Sequence, residues 1–173
     1  MRSENKQYSC CFFGHRKIEQ TPELIKRLTK EIESLIVHKS VDTFYFGNKS
    51  EFNSLCYKIV TCLKEKYPHI KRIYVRAAYP YISDEYKNYL LESYEDTYFP
   101  DGIENAGKAS YVERNYNMID KSQYCICYYD KNYLPPRRKN CKRDLFDYQP
   151  KSGTEIAYNF ATKKELIVIN IKS

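Results

Sequence analysis

Short apolar runs alternate with helical stripes along most of the chain. The first run, Tyr8–Phe13, ends at Gly14, and its continuous apolar character predicts a strand buried on both faces of a sheet. Val41–Phe46 repeats this pattern and closes at Gly47. Between the two runs, Thr21-Pro22-Glu23 predicts a helix start, with the threonine as N-cap and the proline at the first helical position.

The same alternation continues along the rest of the chain. It predicts a helix capped by Ser50 and ended before Pro68, a strand over Ile70–Val75, a short helix over Ser83–Leu91, a short strand over Thr97–Phe99, a helix over Ser110–Asp120 and a strand over Tyr124–Tyr129. After a turn at Gly153, it predicts a helix to about Lys163 and a final strand over Leu166–Ile171. Strands and helices in alternation indicate parallel strands with crossover helices. We therefore predict an α/β fold: a Rossmann-like three-layer sandwich with a mainly parallel central sheet, in a single domain over residues 1–173.

Composition and charge add limits to this picture. No run of 18 apolar residues exists, and residues 1–7 lack the apolar region of a secretory signal, so we expect a cytoplasmic protein with no membrane partner. The net charge of +7 suits an anionic ligand but does not decide fold or function. A bias toward A·T-rich codons is the simpler explanation for most of the 19 tyrosines, although exposed tyrosines also suit a flat ligand or a partner surface.

The seven cysteines are expected to be structural. Six of them fall in strand or helix patterns, where cysteine behaves as a small apolar residue. Cys125 and Cys127 should share one face of a strand, with Ile126 on the other. Because no CxxC pair and no Cys/His cluster has zinc spacing, we expect reduced thiols, no metal site and no cofactor.

Three of the five glycines, Gly14, Gly47 and Gly153, fall at predicted strand-to-helix junctions. In an open parallel sheet these junctions lie at the carboxyl ends of the strands, where ligands bind at a topological switch point. A glycine there lets the backbone approach a ligand, but it equally suits a tight turn. We expect all three to belong to a ligand site.

Two polar motifs, one after the first strand and one at the start of the helix that precedes the strand over Tyr124–Tyr129, are candidates for holding a phosphate. In Gly14-His15-Arg16, the arginine could bind a phosphate bidentately, and the histidine could donate a hydrogen bond or act as an acid or base. In Glu113-Arg114-Asn115, the arginine would hold an anionic group, while the glutamate and asparagine read sugar hydroxyls. The alternative for Glu113 and Arg114 is a solvated helix face.

A third motif, Ser152-Gly153-Thr154, supplies two hydroxyls and unpaired backbone N–H groups at a helix start. The helix dipole favours an anion at such a position. The spacings of the Walker A and Gly-x-Gly-x-x-Gly loops are absent. A plain N-cap at Ser152 or Thr154 is the simpler alternative.

A basic insert over about residues 130–151 separates the strand ending at Tyr129 from this motif. Residues 131–143 contain six basic residues and no acid, with Tyr133 among them and Phe146 and Tyr148 after them. Basic residues with aromatic neighbours could follow a nucleic acid backbone. They could equally cover a small phosphorylated ligand or form a flexible solvated loop.

Taken together, three motifs resemble the SLOG superfamily, named for the SMF/DprA and LOG proteins, and in particular its YpsA-like branch, also called DUF1273. These motifs are Gly14-His15-Arg16, Glu113-Arg114-Asn115-x-x-Met118-Ile119-Asp120-x-Ser122 and Ser152-Gly153-Thr154, and the resemblance spans about Cys10 to Ile171. The resemblance implies a Rossmann-like sheet whose glycine turn and arginine bind a nucleotide or nucleotide-derived ligand. Because related families often form dimers, it also implies a homodimer.

LOG enzymes release a base from a nucleoside monophosphate with a helical arginine and a Gly-Gly-x-Gly-Thr-x-x-Glu loop. Arg114 is similar to that arginine, and Gly153-Thr154 to the Gly-Thr pair, but Ala157 stands at the position of the glutamate. An oxocarbenium-like transition state requires a carboxylate nearby, which Glu113 or Glu155 would have to supply.

We therefore expect a protein that binds or senses a small nucleotide-like ligand. The second hypothesis is an N-glycosidase or phosphoribohydrolase acting on a nucleoside monophosphate or an ADP-ribose-like substrate, with Arg114, Glu113 and Glu155 as catalytic residues. The third is a single-stranded nucleic acid binder that uses residues 131–143.

Overall fold

The structure, a computed structural model, describes residues 8–47, 49–133 and 153–172. The strands in these ranges are β1 (Tyr8–Gly14), β2 (Val41–Phe46), β3 (Lys71–Val75), β4 (Asp96–Tyr98), β5 (Tyr124–Tyr128) and β6 (Ile167–Asn170). The helices are α1 (Pro22–His38), α2 (Glu51–Lys66), α3 (Asp84–Leu91), α4 (Ser110–Lys121) and α5 (Gly153–Lys163). These bounds agree with the predicted elements to within a few residues.

All six described strands lie in one sheet in the order β4-β3-β2-β1-β5-β6, and every neighbouring pair is parallel. One apolar core lies between the sheet and helices α1 and α2, and a second lies between the sheet and helices α4 and α5. The predicted α/β fold, a Rossmann-like sandwich, is therefore confirmed. No helix within the described ranges has both the length and the apolar composition that crossing a membrane requires.

The central strands are buried on both faces, as their continuous apolar sequence predicts. In β1, Phe12 faces the core under α1 and α2, whereas Phe13 faces the core under α4 and α5. In β5, Cys125 and Cys127 lie on the second face and Ile126 on the first, which confirms the predicted alternation. The six cysteines of the described ranges are all free thiols.

Side-chain caps fix where the first two helices begin. The Thr21 hydroxyl accepts a hydrogen bond from the Leu24 N–H at 3.1 Å, with Pro22 as the first helical residue. The Ser50 hydroxyl accepts one from the Asn53 N–H, also at 3.1 Å. Each cap satisfies a backbone donor that the helix itself leaves unpaired, so the sequence signals for both helix starts are confirmed.

The edge strand β4 is held to β3 by a charged pair. The Arg72 guanidinium donates to both carboxylate oxygens of Glu95, at 3.1 and 2.8 Å, and Lys64 lies 3.3 Å from the same carboxylate. Burial raises the pKa of Glu95, but the hydrogen bonds and charge of Arg72 outweigh it and hold the pKa at about 2. A three-residue strand at a sheet edge has few ladder bonds, so this pair helps to keep it in register.

The strand order reverses beside β1. From β1 the chain proceeds outward through β2, β3 and β4, and then returns to place β5 against the other side of β1. The switch point therefore lies between the carboxyl ends of β1 and β5, where an open α/β sheet binds its ligands.

Candidate functional site

Arg114 is the most unusual residue at the carboxyl edge of the sheet. It lies in α4, yet only 4% of it is exposed. Its Nη1 donates to the carbonyl oxygens of Gly47 and Val75, the second at 3.5 Å, and its Nε donates to Oδ1 of Asn115 at 3.0 Å. The guanidinium therefore contacts the ends of β2 and β3, and the solvated-face alternative is wrong for this residue.

The positive charge of Arg114 has no carboxylate partner within the described ranges. A guanidinium carries five N–H donors, and only those on Nε and Nη1 have acceptors in this part of the chain. Burial lowers the pKa of Arg114, because the charged form loses its hydration. An arginine nevertheless stays protonated, so Arg114 is a buried cation that no carboxylate of the described ranges compensates.

Gly47 makes room for this arginine. A Cβ at Gly47 would lie 2.9 Å from Cδ of Arg114 and 2.9 Å from the carbonyl oxygen of Val75. Both distances are shorter than van der Waals contact. The position of Arg114 by itself therefore explains why residue 47 is a glycine, and no ligand is needed for that explanation.

The other two glycines of the predicted site differ from each other. A Cβ at Gly14 would lie 2.3 Å from ring atoms of Phe52, so this glycine allows α2 to pack closely on β1. A Cβ at Gly153 would have nothing within 4 Å. Of the three, only Gly153 faces open space, at the start of α5.

His15 connects the two strands at the switch point. It is 2% exposed, its Nε2 accepts a hydrogen bond from the Asp130 N–H at 2.9 Å, and the Tyr133 ring stacks on it with 3.8 Å between centroids. An accepting Nε2 places the proton of the neutral ring on Nδ1, which is buried and has no partner in the described ranges. Burial lowers the pKa of His15, which favours this neutral form.

The remaining residues of the first two motifs have different surroundings. Arg16 is exposed, and its carbonyl oxygen accepts the N–H of Glu51, the first residue of α2, at 3.0 Å. Glu113 is exposed on α4. Asn115 is buried and uses Oδ1 to hold Arg114, so in this structure it orients the arginine.

At the start of α5, Thr154 is 5% exposed and Glu155 is half-buried. The Tyr158 ring of α5 stacks on Tyr129 with 4.6 Å between centroids, which places α5 beside the end of β5. Burial and, to a smaller extent, the Glu155 carboxylate raise the pKa of Tyr129. Ser152 lies outside the described residues, as does the part of the basic insert over residues 134–151. In the order of the strands, Arg114 therefore lies on the β2 side of β1, and Glu155 lies on the β5 side.

Arg76 is a residue of this edge that the sequence motifs did not single out. It directly follows β3, and its backbone N–H donates to the carbonyl oxygen of Tyr98 at 2.9 Å. Its Nε is buried and has no hydrogen-bond partner in the described ranges. Its position in the sequence was the one signal that could have identified it, because a residue directly after a parallel strand lies at the same edge of the sheet as Gly47 and His15.

A comparison with models of known protein families finds no match, and neither does a comparison with curated proteins. What the site binds must therefore follow from its residues.

A separate cavity of about 240 Å³ lies between the start of α1 and the ends of β5 and β6. Its lining includes the carboxylates of Glu19 and Glu23 as well as the cations of Arg27 and Lys172. An anion would gain little from such mixed charges. None of the predicted ligand residues lines this cavity, so it does not compete with the edge around Arg114 as an anion site.

Proposed function

We propose that this protein binds or senses a nucleotide or a nucleotide-derived anion at the carboxyl edge of its sheet. The observation that carries the proposal is the burial of Arg114 with no carboxylate partner among the residues that the structure describes. Bridging two backbone carbonyls needs donors but no charge, and a buried unpaired charge costs several kcal/mol, on the order of the penalty for a broken buried ion pair. A phosphate oxygen on Nη2 would both accept its free donors and neutralise the charge.

A nucleotide fits the spacing of the candidate residues better than a lone phosphate does. Adjacent strands are about 4.8 Å apart, so a ligand that extends from Arg114 at the end of β2 to α5 beyond β5 spans roughly 10 Å. That path crosses the switch point at His15 and ends at the helix start of Gly153 and Thr154. Membership of the SLOG superfamily, through its YpsA-like branch, is part of this proposal.

Binding is favoured over hydrolysis by the surroundings of Ala157. This residue stands where LOG enzymes place a glutamate, and it is 1% exposed in the core between the sheet and α4 and α5. No carboxylate is available from that position. The enzymatic alternative would depend on Glu113, which is exposed, or on Glu155, which lies beside Tyr129.

Isothermal titration calorimetry with AMP, ADP-ribose and NAD tests the proposal. Arg114→Gln should weaken the binding of any nucleotide that binds by about 10- to 100-fold, the loss expected for one charged hydrogen-bonding group. Arg27→Gln is a matched control, since Arg27 also donates to a backbone carbonyl, that of Ile171 at 2.9 Å, but lies on α1. Equal affinities of the Arg114→Gln variant and the wild type, or no binding at all, would contradict the proposal.

Chromatography of the same mixtures separates binding from catalysis. A pure binder leaves every nucleotide intact. Release of free base by the wild type, but not by the Arg114→Gln variant, would identify an N-glycosidase instead. In that case Glu113→Gln and Glu155→Gln would show which carboxylate the reaction uses.

A further inference from the structure

A second arginine, Arg76, lies at the end of β3, beside the peptide group that Arg114 contacts. Arg76 directly follows Val75, and the Val75 carbonyl oxygen is 3.5 Å from Nη1 of Arg114. The backbone of Arg76 is fixed by its hydrogen bond to Tyr98 on β4. The Arg76 side chain therefore starts from the peptide group between Val75 and Arg76, and the Arg114 side chain reaches the carbonyl oxygen of that same group.

Neither arginine forms an ion pair in the described ranges. By contrast, Arg72, four residues before Arg76 and also on β3, is fully paired with Glu95. Within the described ranges, the arginine in β3 is thus neutralised, whereas the one directly after β3 has no acid partner. The buried Nε of Arg76 also lacks an acceptor there, which costs free energy unless a ligand supplies one.

Tyrosine rings surround both cations. Tyr74 is the common neighbour: burial raises its pKa, while the charges of Arg114 and Arg76 both act in the opposite direction. The Tyr111 ring centroid is 5.6 Å from Cζ of Arg114. Burial lowers the pKa of Arg76, and Tyr86 and Tyr74 act in the opposite direction. Neutral phenols do not neutralise the charge of either cation, whereas an anion bound by both would.

We propose that Arg76 is a second anion-binding residue and forms, with Arg114, a two-arginine site for a multiply charged phosphate group such as a diphosphate. The inference rests on the proposed nucleotide binding at Arg114 and specifies the ligand's charge. Two guanidinium groups match a ligand with at least two negative charges, because each fork can hold its own pair of oxygens. A singly charged phosphodiester would leave one cation unpaired.

Calorimetry with ADP and with 3′,5′-cyclic AMP distinguishes these ligands. The wild type should bind ADP at least about 10-fold more tightly than cyclic AMP, the difference expected for one additional charged contact. Arg76→Gln should lower the affinity for ADP by a similar factor and change that for cyclic AMP by less than about 3-fold. Arg76→Lys should restore part of the ADP affinity, since it keeps the charge but loses the fork.

Lys87→Gln is the control for general electrostatics, because Lys87 is an exposed cation on α3. It should leave both affinities unchanged. If Arg76→Gln binds ADP as tightly as the wild type while Arg114→Gln does not, Arg76 has no role and the proposed function stands. If the wild type binds no nucleotide, the proposed function fails and this inference fails with it. Should Arg76→Gln not fold, unchanged ADP affinity in a folded Arg76→Ala variant would equally overturn the inference.

Discussion

One missing Cβ determines whether Arg114 can reach the end of β2. The arginine side chain passes over Gly47 so closely that an alanine there would overlap it, and the same alanine would press on the Val75 carbonyl. A charged side chain buried in this way has few other positions to move to. The glycine and the arginine therefore act as one structural unit.

We predict different effects for two glycine substitutions. Gly47→Ala should lower the free energy of unfolding by about 1–3 kcal/mol, as overpacking does, and should also weaken nucleotide binding, because Arg114 must shift. Gly14→Ala should destabilise the fold by at least as much, since its Cβ would overlap the Phe52 ring, but should leave the affinity of the folded protein unchanged. Urea unfolding and calorimetry measure the two quantities. Equal affinities for the two variants would show that Gly47 does not serve Arg114.

Single residues also show where sequence reasoning reaches its limit. The motif Glu113-Arg114-Asn115 predicted an arginine that holds an anion, with a solvated helix face as the alternative, and did not predict that Arg114 is buried. The spacing held a clue, because Arg114 lies four residues before the buried Met118 and so shares its helix face. An arginine is so often solvated that a polar motif alone does not reveal this. The buried Nε of Arg76, which has no partner within the described ranges, had no sequence signal beyond its position.

At the scale of elements, the sequence predicted the helices and strands, but not which strands pair. Caps such as Thr21 and Ser50 mark helix starts through bonds between residues three apart, so local sequence contains the full signal. The buried strands were evident from their apolar runs. Strand pairing was not, since the order of neighbours in a sheet depends on contacts between residues far apart in sequence. The ion pair of Arg72 and Glu95, 23 residues apart, belongs to this second kind.

We predict that this ion pair makes the edge strand sensitive to acid. The pKa of Glu95 is lowered in the folded state, from 4.5 to about 2, so its contribution to stability is present above pH 4.5 and is lost as the pH falls toward 2. Because the side chains are partly exposed, the loss should be about 1–2 kcal/mol. Urea unfolding at pH 5 and pH 2.5 measures it. In Glu95→Gln the difference between the two pH values should shrink by that amount, and an unchanged difference would contradict the assignment.

At the scale of the whole molecule, the parallel sheet collects the candidate residues at one edge. The motifs of residues 14–16, 113–115 and 153–154 lie far apart in sequence, and the carboxyl ends of parallel strands bring their elements to the same side. Sequence reasoning could predict this edge because it follows from strand direction alone. It could not predict that Arg114 and Glu155 lie on opposite sides of β1, since that depends on the strand order.

We predict that any binding of a nucleic acid at residues 131–143 is separate from the binding of a small ligand at this edge. Affinity for a single-stranded oligonucleotide should fall with a logarithmic slope of about −0.7 per phosphate contacted, and should be lost when Arg137, Arg138 and Lys139 are all changed to alanine. ADP affinity should be unchanged in that variant. Fluorescence anisotropy with a labelled oligonucleotide, in parallel with calorimetry, gives both numbers. Loss of ADP binding in the triple variant would show that the basic insert belongs to the nucleotide site.

The contact between Gly47 and Arg114 has a consequence for evolution. Arg114 can remain in its present position only while residue 47 lacks a side chain, and without the arginine that restriction disappears. In homologous chains the two positions should consequently be retained together or drift together. A lineage that has lost the arginine would then tolerate alanine or serine at the end of β2, and such a pair of changes would mark proteins that no longer hold an anion there.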